Sequence, residues 1–389
     1  MKDPKIVMTL MVRDEADIIA AMVEHHLAQG VDLIIATDNG SIDGTRDILA
    51  AYAETGRLEL HDYLAHDKNQ SAVVSGMASR AATEHGATWV INADADEFFL
   101  PVDPALTLRD ALRHTPTGIG AFEAKVVNLT GAPAKSGGAL TRLVRRDQRP
   151  EETLMQTVAL HAHPSSDMIH VGRPDVEVVQ GNHGVNIPSM GQPPKGFAIE
   201  VHHLPWRTYA QYSTKIMNTG RSYDANPTLN PSPRHHGMRD YRLWKAGLLE
   251  HLYVVRHPGD DPGPSFPLDD RVVRGLLRLL DTGAALRPDL LAPSLSAEFE
   301  EYTPEERETA REIADLVIPL EIEHLAASTK WRDLYRGEAA ARRRDAAEKD
   351  RAVELAERLQ RRPEARLRRL VGRVIRAPRA VARRALDRL

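Results

Sequence analysis

Two carboxylates closely follow an apolar run within the first hundred residues. Asp94 and Asp96 follow Trp89–Ile91, a short apolar segment typical of a buried strand. Ligand sites in open α/β sheets collect at the carboxyl ends of such strands. Hard cations such as Mg²⁺ and Mn²⁺ prefer oxygen ligands, and one or two carboxylates often hold them while substrate phosphates complete the coordination. The pair therefore predicts a divalent metal site and a substrate that carries phosphate.

A second polar turn lies earlier in the chain. The segment Asp38–Thr45 follows the apolar run at 33–36, and its glycines permit a tight backbone. Asp38 or Asn39 can offer oxygens to a base or a ribose. A capped strand-to-helix turn is the alternative interpretation of this segment taken alone. Because residues 13–15, Arg-Asp-Glu, follow the first apolar run in the same way, three polar turns would share one rim of the sheet, which favours a ligand site.

The elements that must hold these turns alternate between apolar strands and amphipathic helices. Apolar runs lie at 6–12, 33–36, 58–60 and 89–91, and helical spacing is found at 18–27, 45–52 and 71–85. Such alternation implies right-handed βαβ crossovers and a mostly parallel sheet. Shorter runs broken by Gly and Pro from 118 to 205 predict a mixed or antiparallel extension of that sheet. Helical patterns dominate beyond residue 205.

Composition narrows the class of protein. A chain of 389 residues can bury a sizeable core, enough for one large catalytic domain with an added helical region. The formal net charge of -4 does not favour nucleic acid as a partner. The absence of cysteine excludes disulfides, thiolate catalysis and cysteine metal sites, and is compatible with a reducing cytoplasm. Since no run of about 18 to 20 apolar residues occurs, we expect a soluble or peripherally bound protein.

The order of the motifs resembles that of glycosyltransferase family 2, particularly its bacterial members with a DxDEF element. The resemblance covers residues 5–100 and rests on Met11–Ala16, the DNGS-type turn at 38–41 and Asp94–Phe98. It continues more weakly in Gly181–Gly184 and in an H-x-P-x-R element at His203–Thr208, followed by Lys215. The resemblance implies the α/β GT-A fold, a mixed sheet flanked by helices, here with a helical C-terminal extension. It also implies transfer of a sugar from a nucleotide diphosphate sugar to an acceptor hydroxyl, usually with Mn²⁺ or Mg²⁺ and inversion at the anomeric carbon, in polysaccharide or glycoconjugate synthesis.

The resemblance also implies residue roles at the donor. Asp96 would ligate the metal, and Asp94 would hold the ribose or a metal-bound water. Asp38 with Asn39 would contact the nucleoside, beside Glu15. Many members have two aspartates in that turn, so the Asp-Asn pair leaves the base preference open. The full candidate set for the donor is Arg13, Glu15, Asp38, Asn39, Asp94, Arg207 and Lys215.

Basic side chains late in the domain are candidates to complete the site. A neutral imidazole is a good ligand for Mn²⁺, which makes His203 and His183 candidate metal ligands beside the two aspartates. Arg207 and Lys215 can clamp a diphosphate, because guanidinium binds phosphate through a fork and lysine acts as a point charge. Structural histidines and a solvated helix face are the alternatives.

The acceptor hydroxyl needs a base to take its proton, and Asp or Glu is the usual choice. Asp175, Glu177 and Glu200 lie in the region expected to face the acceptor. Glu200 is the first candidate and Asp175 the alternative, while an ordinary surface acid is the other interpretation of each.

These patterns predict four regions. A GT-A catalytic domain at 1–225 has a nucleotide half at about 1–100 and an acceptor half at about 101–225. A loop-rich helical region at 226–300, charged helices at 301–362 and a basic amphipathic tail at 363–389 follow. Between Arg366 and Arg388 the tail carries nine arginines against one acid, so it can lie on an anionic membrane near lipid-linked acceptors. A disordered or coiled tail is the alternative. The predicted location is the cytoplasm, with contact at the inner face of the membrane.

Three other functions fit part of the pattern. A sugar nucleotidyltransferase uses a similar sheet and metal but wants a glycine-rich loop after the first strand, which residues 11–15 lack. A metal-dependent phosphohydrolase would leave the turn at 38–45 unexplained. A non-catalytic scaffold that keeps a GT-A fold is the alternative outside enzymes, and binding of a donor and a metal would separate it from a transferase.

Overall fold

Strands and helices alternate through the first hundred residues, as the hydrophobic pattern predicts. The computed structural model describes residues 3–65, 70–225, 235–330 and 351. The strands are β1 (Ile6–Val12), β2 (Leu33–Asp38), β3 (Leu58–Asp62), β4 (Trp89–Ala93), β5 (Glu97–Pro101), β6 (Ala121–Thr130), β7 (Ala134–Gly137), β8 (Arg145–Arg146), β9 (Asp167–Val171), β10 (Ile199–His203) and β11 (Phe299–Glu301). The helices are α1 (Ile19–Ala28), α2 (Thr45–Ala53), α3 (Gln70–Thr83), α4 (Leu108–His114), α5 (Glu151–Val158), α6 (Tyr209–Asp224), α7 (His236–Lys245), α8 (Leu249–Arg256), α9 (Arg271–Asp281) and α10 (Pro288–Ser296), and residues 304–330 are also helical.

The main sheet is mixed, with the strand order β3-β2-β1-β4-β9-β6-β10-β5 and β8 attached to β6. Strands β1 to β4 pair in parallel, as βαβ crossovers require. Strand β9 is antiparallel to both β4 and β6, whereas β10 runs parallel to β6 and antiparallel to β5. A separate two-stranded sheet joins β7 to β11. The predicted α/β class, with a mixed sheet flanked by helices, is confirmed.

This topology places the ends of many strands on one edge of the sheet. Because β1, β2, β4, β6 and β10 run in the same direction, their carboxyl ends all point to that edge. The antiparallel strands β9 and β5 begin there, and their first residues are Asp167 and Glu97. We call this edge the carboxyl edge. It therefore gathers acids from strand starts as well as from the loops after strand ends.

Both faces of the sheet are covered, so the central strands are apolar on both sides. Along β1, Met8 and Leu10 pack with α1 in one core cluster, while Val7 packs with α3 in another. Successive side chains of a strand point to opposite faces, which explains this division. Burying each such side chain is worth about 1.5–3 kcal/mol, so the sheet that carries the carboxyl edge is a rigid platform.

Two histidines of α1 satisfy the backbone of the edge strand β5. The Nε2 atom of His25 lies 2.9 Å from the carbonyl oxygen of Phe99, and His26 Nε2 accepts a 3.0 Å hydrogen bond from the Phe99 N–H. Burial lowers the pKa of His25 to about 4, so this imidazole is neutral at physiological pH. The pair protects an unpaired strand edge from other pairings and holds β5 in place.

A second apolar core joins α6, α7 and α8 to residues of the segment 302–322. Residues Met1–Ile322 form one compact unit and Glu323–Leu389 another. The predicted divisions at 225 and 300 fall inside the first unit and stay predictions. The predicted tail at 363–389, part of the charged region at 301–362, and residues 226–234 at the start of the predicted loop-rich region lie outside the described residues. Within the described part of the chain, none of the helices combines the length and apolar character needed to span a bilayer.

Candidate active site

Asp96 lies at the centre of a group of basic side chains on the carboxyl edge. Its Oδ2 atom is 2.7 Å from Lys215 Nζ, 3.5 Å from Arg207 Nη1 and 3.6 Å from His203 Nε2. Although burial alone would raise the pKa of Asp96, the charges of Lys215 and Arg207, together with the neighbouring His203, outweigh it and hold that pKa well below its usual range. Asp96 is therefore an ionised and almost fully buried carboxylate.

Three more acids surround Asp96 on the same edge. Asp94 accepts 3.3 Å hydrogen bonds on Oδ1 from the amides of Gln70 and Asn182, and burial followed by the charge of Asp96 raises its pKa. Burial, with the charges of Asp167 and Asp94, raises the pKa of Glu97 well above its ordinary value. The site thus concentrates more carboxylates than its cations can all neutralise, an arrangement that attracts a further cation.

His203 is oriented so that one ring nitrogen faces Asp96. Its Nδ1 donates a 2.9 Å hydrogen bond to Oδ1 of Asn128, the residue opposite it on β6. Because an amide oxygen only accepts, Nδ1 carries a proton, and in the neutral imidazole Nε2 then keeps its lone pair. Metal-ligating histidines are commonly fixed in this way. The carboxylate of Asp96 and the imidazole of His203, 3.6 Å apart, would hold Mn²⁺ or Mg²⁺.

His183, the other predicted histidine ligand, pairs with Asp167 and not with Asp94 or Asp96. Its Nδ1 lies 3.0 Å from Oδ1 of Asp167, a residue with no exposed surface. This hydrogen bond raises the pKa of His183, although partial burial opposes it. The second oxygen of Asp167, Oδ2, is buried and has no hydrogen-bond partner among the described residues. In the structure, therefore, His183 contacts Asp167, whereas His203 is the histidine that lies beside Asp96.

Arg207 is an internal brace. Its side chain has no exposed surface, and its guanidinium donates to Glu15 and, at 2.8 Å, to Asp17 Oδ2. These two acids follow β1, so the ion pairs tie the turn after β1 to the loop after β10. Its Nη1 lies 3.5 Å from Asp96 and has no hydrogen-bond partner among the described residues. Because the whole side chain is buried, the structure favours a brace, and the clamp of Arg207 on a diphosphate stays a prediction.

Lys215 is placed differently, because it lies on the face of α6 that lines a cleft. The cleft has a volume of about 1450 Å³ and also includes residues of α10 and the turns after β1 and β2. The α6 residues that line it, with the N-cap Thr208, are mostly polar: Thr208, Ala210, Gln211, Thr214, Lys215, Asn218, Thr219, Ser222 and Tyr223. Lys215 therefore reaches both the buried Asp96 and the open cleft.

The turn after β2 is built around Asp38. Its Oδ2 accepts 3.0 Å hydrogen bonds from the N–H groups of Gly40 and Ser41, while its buried Oδ1 meets no partner in the described parts of the chain. The side-chain amide of Asn39 donates to the carbonyl oxygens of Tyr63 at 2.6 Å and of Ala65 at 3.1 Å, and Asn39 is one of the residues that line the cleft. Arg13, after β1, also lines the cleft. Both turns thus border one space, as the nucleotide prediction requires.

The two predicted bases lie elsewhere. Glu200 is on the opposite face of β10 from His203, because the two residues differ by an odd number of positions. Salt bridges to Arg146 and Arg271, at 2.7 Å and 2.5 Å, hold the pKa of Glu200 far below its ordinary value even though burial opposes them. Asp175 is exposed and paired with Arg173. A carboxylate held by arginines binds a proton weakly, so the structure does not favour either acid as the base.

Among the described residues, one group of three acidic or histidine side chains has its ligand atoms within 4.8 Å of one another. The group is Glu200, His202 and Asp269, on the face away from the cleft. Arg146 and Arg271 each contact both acids, so two guanidinium charges already balance two carboxylates. We interpret this group as an ion-pair network that ties β10 to β8 and to the start of α9.

Sequence reasoning missed Glu97, Asp167 and Asn128. Glu97 stands within the quoted DxDEF element, so its proximity to Asp96 was a usable signal. Asp167 and Asn128 reach the edge only through the antiparallel placement of β9 and the register of β6 against β10. No local pattern in the sequence marks them.

Residues 7–134 of this chain match the model of Glycosyltransferase family 92. The match covers less than half of the chain, includes Asp94 and Asp96, and ends before His203. It supports sugar transfer, and the finer assignment to family 2 stays a prediction. No curated protein matches the chain.

Two solved structures illustrate the distant likenesses. The crystal structure of S. aureus TarS 1-349 in complex with UDP is 13% identical, with a TM-score of 0.32, over 79% of this chain and 90% of that chain. That of glucosyl-3-phosphoglycerate synthase from Mycobacterium tuberculosis, in complex with Mn²⁺, UDP and glucosyl-3-phosphoglycerate, is 16% identical, with a TM-score of 0.24, over 43% of this chain and 57% of that chain. At such scores neither likeness bears on the function of this chain. The evidence on function is the geometry of the site and the match to the family model.

Proposed function

We propose that this protein is a glycosyltransferase that binds a nucleotide diphosphate sugar in the cleft at the carboxyl edge and transfers the sugar to an acceptor hydroxyl. The observation that carries the proposal is the meeting of Asp96 and His203, 3.6 Å apart, beside a large cleft lined by the turns after β1 and β2. The match of residues 7–134 to a glycosyltransferase family supports the same activity. The turn after β1 is acidic and lacks a glycine run, which disfavours a sugar nucleotidyltransferase.

The residues divide the work of holding the donor. Asp96 and His203, with Asp94 nearby, would hold Mn²⁺ or Mg²⁺, and such an ion supplies Lewis-acid stabilisation of a diphosphate leaving group. Lys215 offers a mobile positive charge to the phosphates. Asn39 and the turn after β2 border the space expected for the nucleoside. Small-molecule sites have typical volumes of about 300–1,000 Å³, so a cleft of about 1450 Å³ has room for part of an acceptor beside the donor.

The finer parts of the proposal extend the sequence predictions. The enzyme belongs to the DxDEF-containing subgroup of family 2, inverts the anomeric carbon and acts in polysaccharide or glycoconjugate synthesis in the cytoplasm. Its acceptor is a carbohydrate or a lipid-linked sugar, nucleic acid is not a partner, and the basic tail at 363–389 contacts an anionic membrane. A vesicle flotation assay tests the last point, because deletion of 363–389 should abolish binding to anionic vesicles.

Binding of donor and metal tests the central proposal. UDP-, GDP- and dTDP-sugars are added to the full-length protein with and without Mn²⁺, and thermal stabilisation and release of the nucleoside diphosphate are measured. At least one sugar nucleotide should stabilise the wild type only with Mn²⁺ and be turned over. Asp96→Asn should lose both responses, whereas Asp281→Asn, which removes an exposed acid at the end of α9, should keep them. If no sugar nucleotide shifts the melting temperature with Mn²⁺ present, the transferase assignment fails.

A further inference from the structure

Two cations contact the carboxylate of Asp96 directly, and they differ in mobility. Arg207 has no exposed surface and is fixed by Glu15 and Asp17. Lys215 reaches Asp96 Oδ2 at 2.7 Å from α6, and its side chain is 40% exposed to the cleft. A lysine ammonium sits on a flexible four-carbon stem, so it can change partners without moving the helix. Of these two contacts with Asp96, the one to Lys215 is therefore the one that can be released.

The position of Lys215 conflicts with a divalent cation on Asp96. The ammonium occupies the same carboxylate oxygen that lies 3.6 Å from His203 Nε2, which is the oxygen best placed to share an ion with the imidazole. A divalent ion there would also meet the positive charges of Lys215 and Arg207 at close range, where repulsion between like charges is strong. Metal binding therefore requires Lys215 to leave Asp96.

The displaced ammonium needs a new anionic partner. Glu15 Oε1 lies 3.8 Å from Lys215 Nζ, but Arg207 already pairs with that carboxylate. Within the cleft, the phosphates of a bound nucleoside diphosphate would offer the missing negative charge. Without the nucleotide, release of Lys215 leaves a partly desolvated ammonium with little negative charge nearby to compensate it. With the nucleotide bound, the ammonium exchanges the carboxylate of Asp96 for a phosphate.

We propose that Lys215 is a displaceable counter-ion of Asp96 that couples the two ligands of the site. Without ligands it neutralises the metal-binding carboxylate; with a nucleoside diphosphate bound it moves to the phosphates and frees Asp96 for the divalent cation. The inference rests on the proposed function, because it assumes a diphosphate in the cleft. It makes Lys215 a positioning residue for donor binding and predicts that each ligand strengthens binding of the other. Reciprocity requires the same factor in both directions.

Calorimetric titration of the full-length protein with MnCl₂, alone and with saturating UDP, measures this coupling directly. If another nucleoside diphosphate stabilises the protein more than UDP does, the experiment uses that one in place of UDP. We expect UDP to lower the dissociation constant of Mn²⁺ by about tenfold or more in the wild type, within the usual range of couplings between sites. In Lys215→Met, Mn²⁺ alone should bind about tenfold more tightly, and the enhancement by UDP should shrink severalfold.

Three further variants separate the counter-ion from a general loss of charge or of folding. Lys215→Gln, also neutral, should repeat the result of Lys215→Met, so that the test survives if one of the two does not fold. Lys215→Arg keeps a cation beside Asp96 and should bind Mn²⁺ alone no more tightly than the wild type. Lys195→Met removes an exposed lysine from a loop outside the cleft and should leave both affinities unchanged.

The possible failures are distinguishable. If the wild type binds both Mn²⁺ and a nucleoside diphosphate but the neutral variants at position 215 keep the wild-type coupling, the counter-ion inference is wrong and the donor site stands. If the neutral variants bind Mn²⁺ alone no more tightly than the wild type, the same conclusion holds. If the wild type binds neither ligand, the inference and the proposed function fail together.

Discussion

Replacing Arg207 by Met distinguishes an internal brace from a phosphate clamp. The substitution keeps most of the apolar stem and removes the guanidinium, which has no exposed surface. In the structure this group pairs with Glu15 and, at 2.8 Å, with Asp17, and it lies 3.5 Å from Asp96. We expect Arg207→Met to lower the free energy of unfolding before it affects any ligand.

The magnitude follows from the burial of the partners. Removing one member of a buried ion pair costs about 3–5 kcal/mol, because the remaining charge stays buried without compensation. Glu15 is 7% exposed and Asp96 is 1% exposed, so both meet that condition. The bond to Asp17 adds little, since that carboxylate is partly in water. The melting temperature falls by about 2–4 °C per kcal/mol in domains of 150–250 residues and by less in larger ones, so the compact unit Met1–Ile322 should lose at most roughly 20 °C.

Urea unfolding followed by tryptophan fluorescence measures the loss, with calorimetric binding of UDP and Mn²⁺ alongside. Glu15→Gln added to Arg207→Met removes the stranded charge, so the double variant should regain about 1–3 kcal/mol over the single variant. Arg173→Met is the matched control, because it breaks an exposed ion pair with Asp175 and should leave the urea midpoint unchanged.

One pattern of results would refute this reasoning. If Arg207→Met kept the wild-type urea midpoint and weakened binding of UDP, the guanidinium would face the phosphates as the sequence alone suggests. If the double variant were as unstable as Arg207→Met alone, the unpaired charge of Glu15 would not be the cause of the lost stability.

Three other substitutions follow from single contacts. Asn128→Ala removes the acceptor that orients the imidazole of His203, and it should weaken Mn²⁺ binding in the presence of UDP by about 10–100-fold in a calorimetric titration. Gly220→Ala places a methyl group 2.0 Å from the ring of Tyr241, so overpacking should cost about 1–3 kcal/mol in urea unfolding. The hydrogen bond to Asp167 raises the pKa of His183 above its ordinary 6.5, so the stabilisation is complete below that value and is lost as pH rises through the higher folded-state pKa. Urea stability measured as pH rises from about 5.5 should therefore fall less steeply in His183→Gln than in the wild type.

Much of the fold could be predicted because its first hundred residues follow local rules. Hydrophobic period and strand-end chemistry are local, so the alternation that ends in β4 and the position of Asp94 and Asp96 behind it are present in the sequence. His203 could be predicted only through the resemblance to known transferases, since its approach to Asp96 depends on the pairing of β10 with β5.

The remaining site residues depend on register and burial that a single sequence does not encode locally. Glu200 and His203 share β10 but face opposite sides of it, and a shift of one position in the strand would exchange them. Arg207 looks like a solvated cation in sequence, but acids nearly two hundred residues away in the chain enclose it. Asp167 reaches the edge only because β9 runs against its neighbours.

The pairing of β5 with β10 places Glu97 directly opposite His203, although α4 and strands β6 to β9 lie between them in the chain. Contacts of such long sequence separation form late, because the chain loses entropy in closing a large loop before the contact can stabilise it. A polypeptide emerging from the ribosome would thus complete its acidic turn at Asp96 well before the imidazole partner exists. The metal binding that we propose for Asp96 and His203 therefore requires the finished sheet, because a chain that stops short of β10 has the acids but not the imidazole.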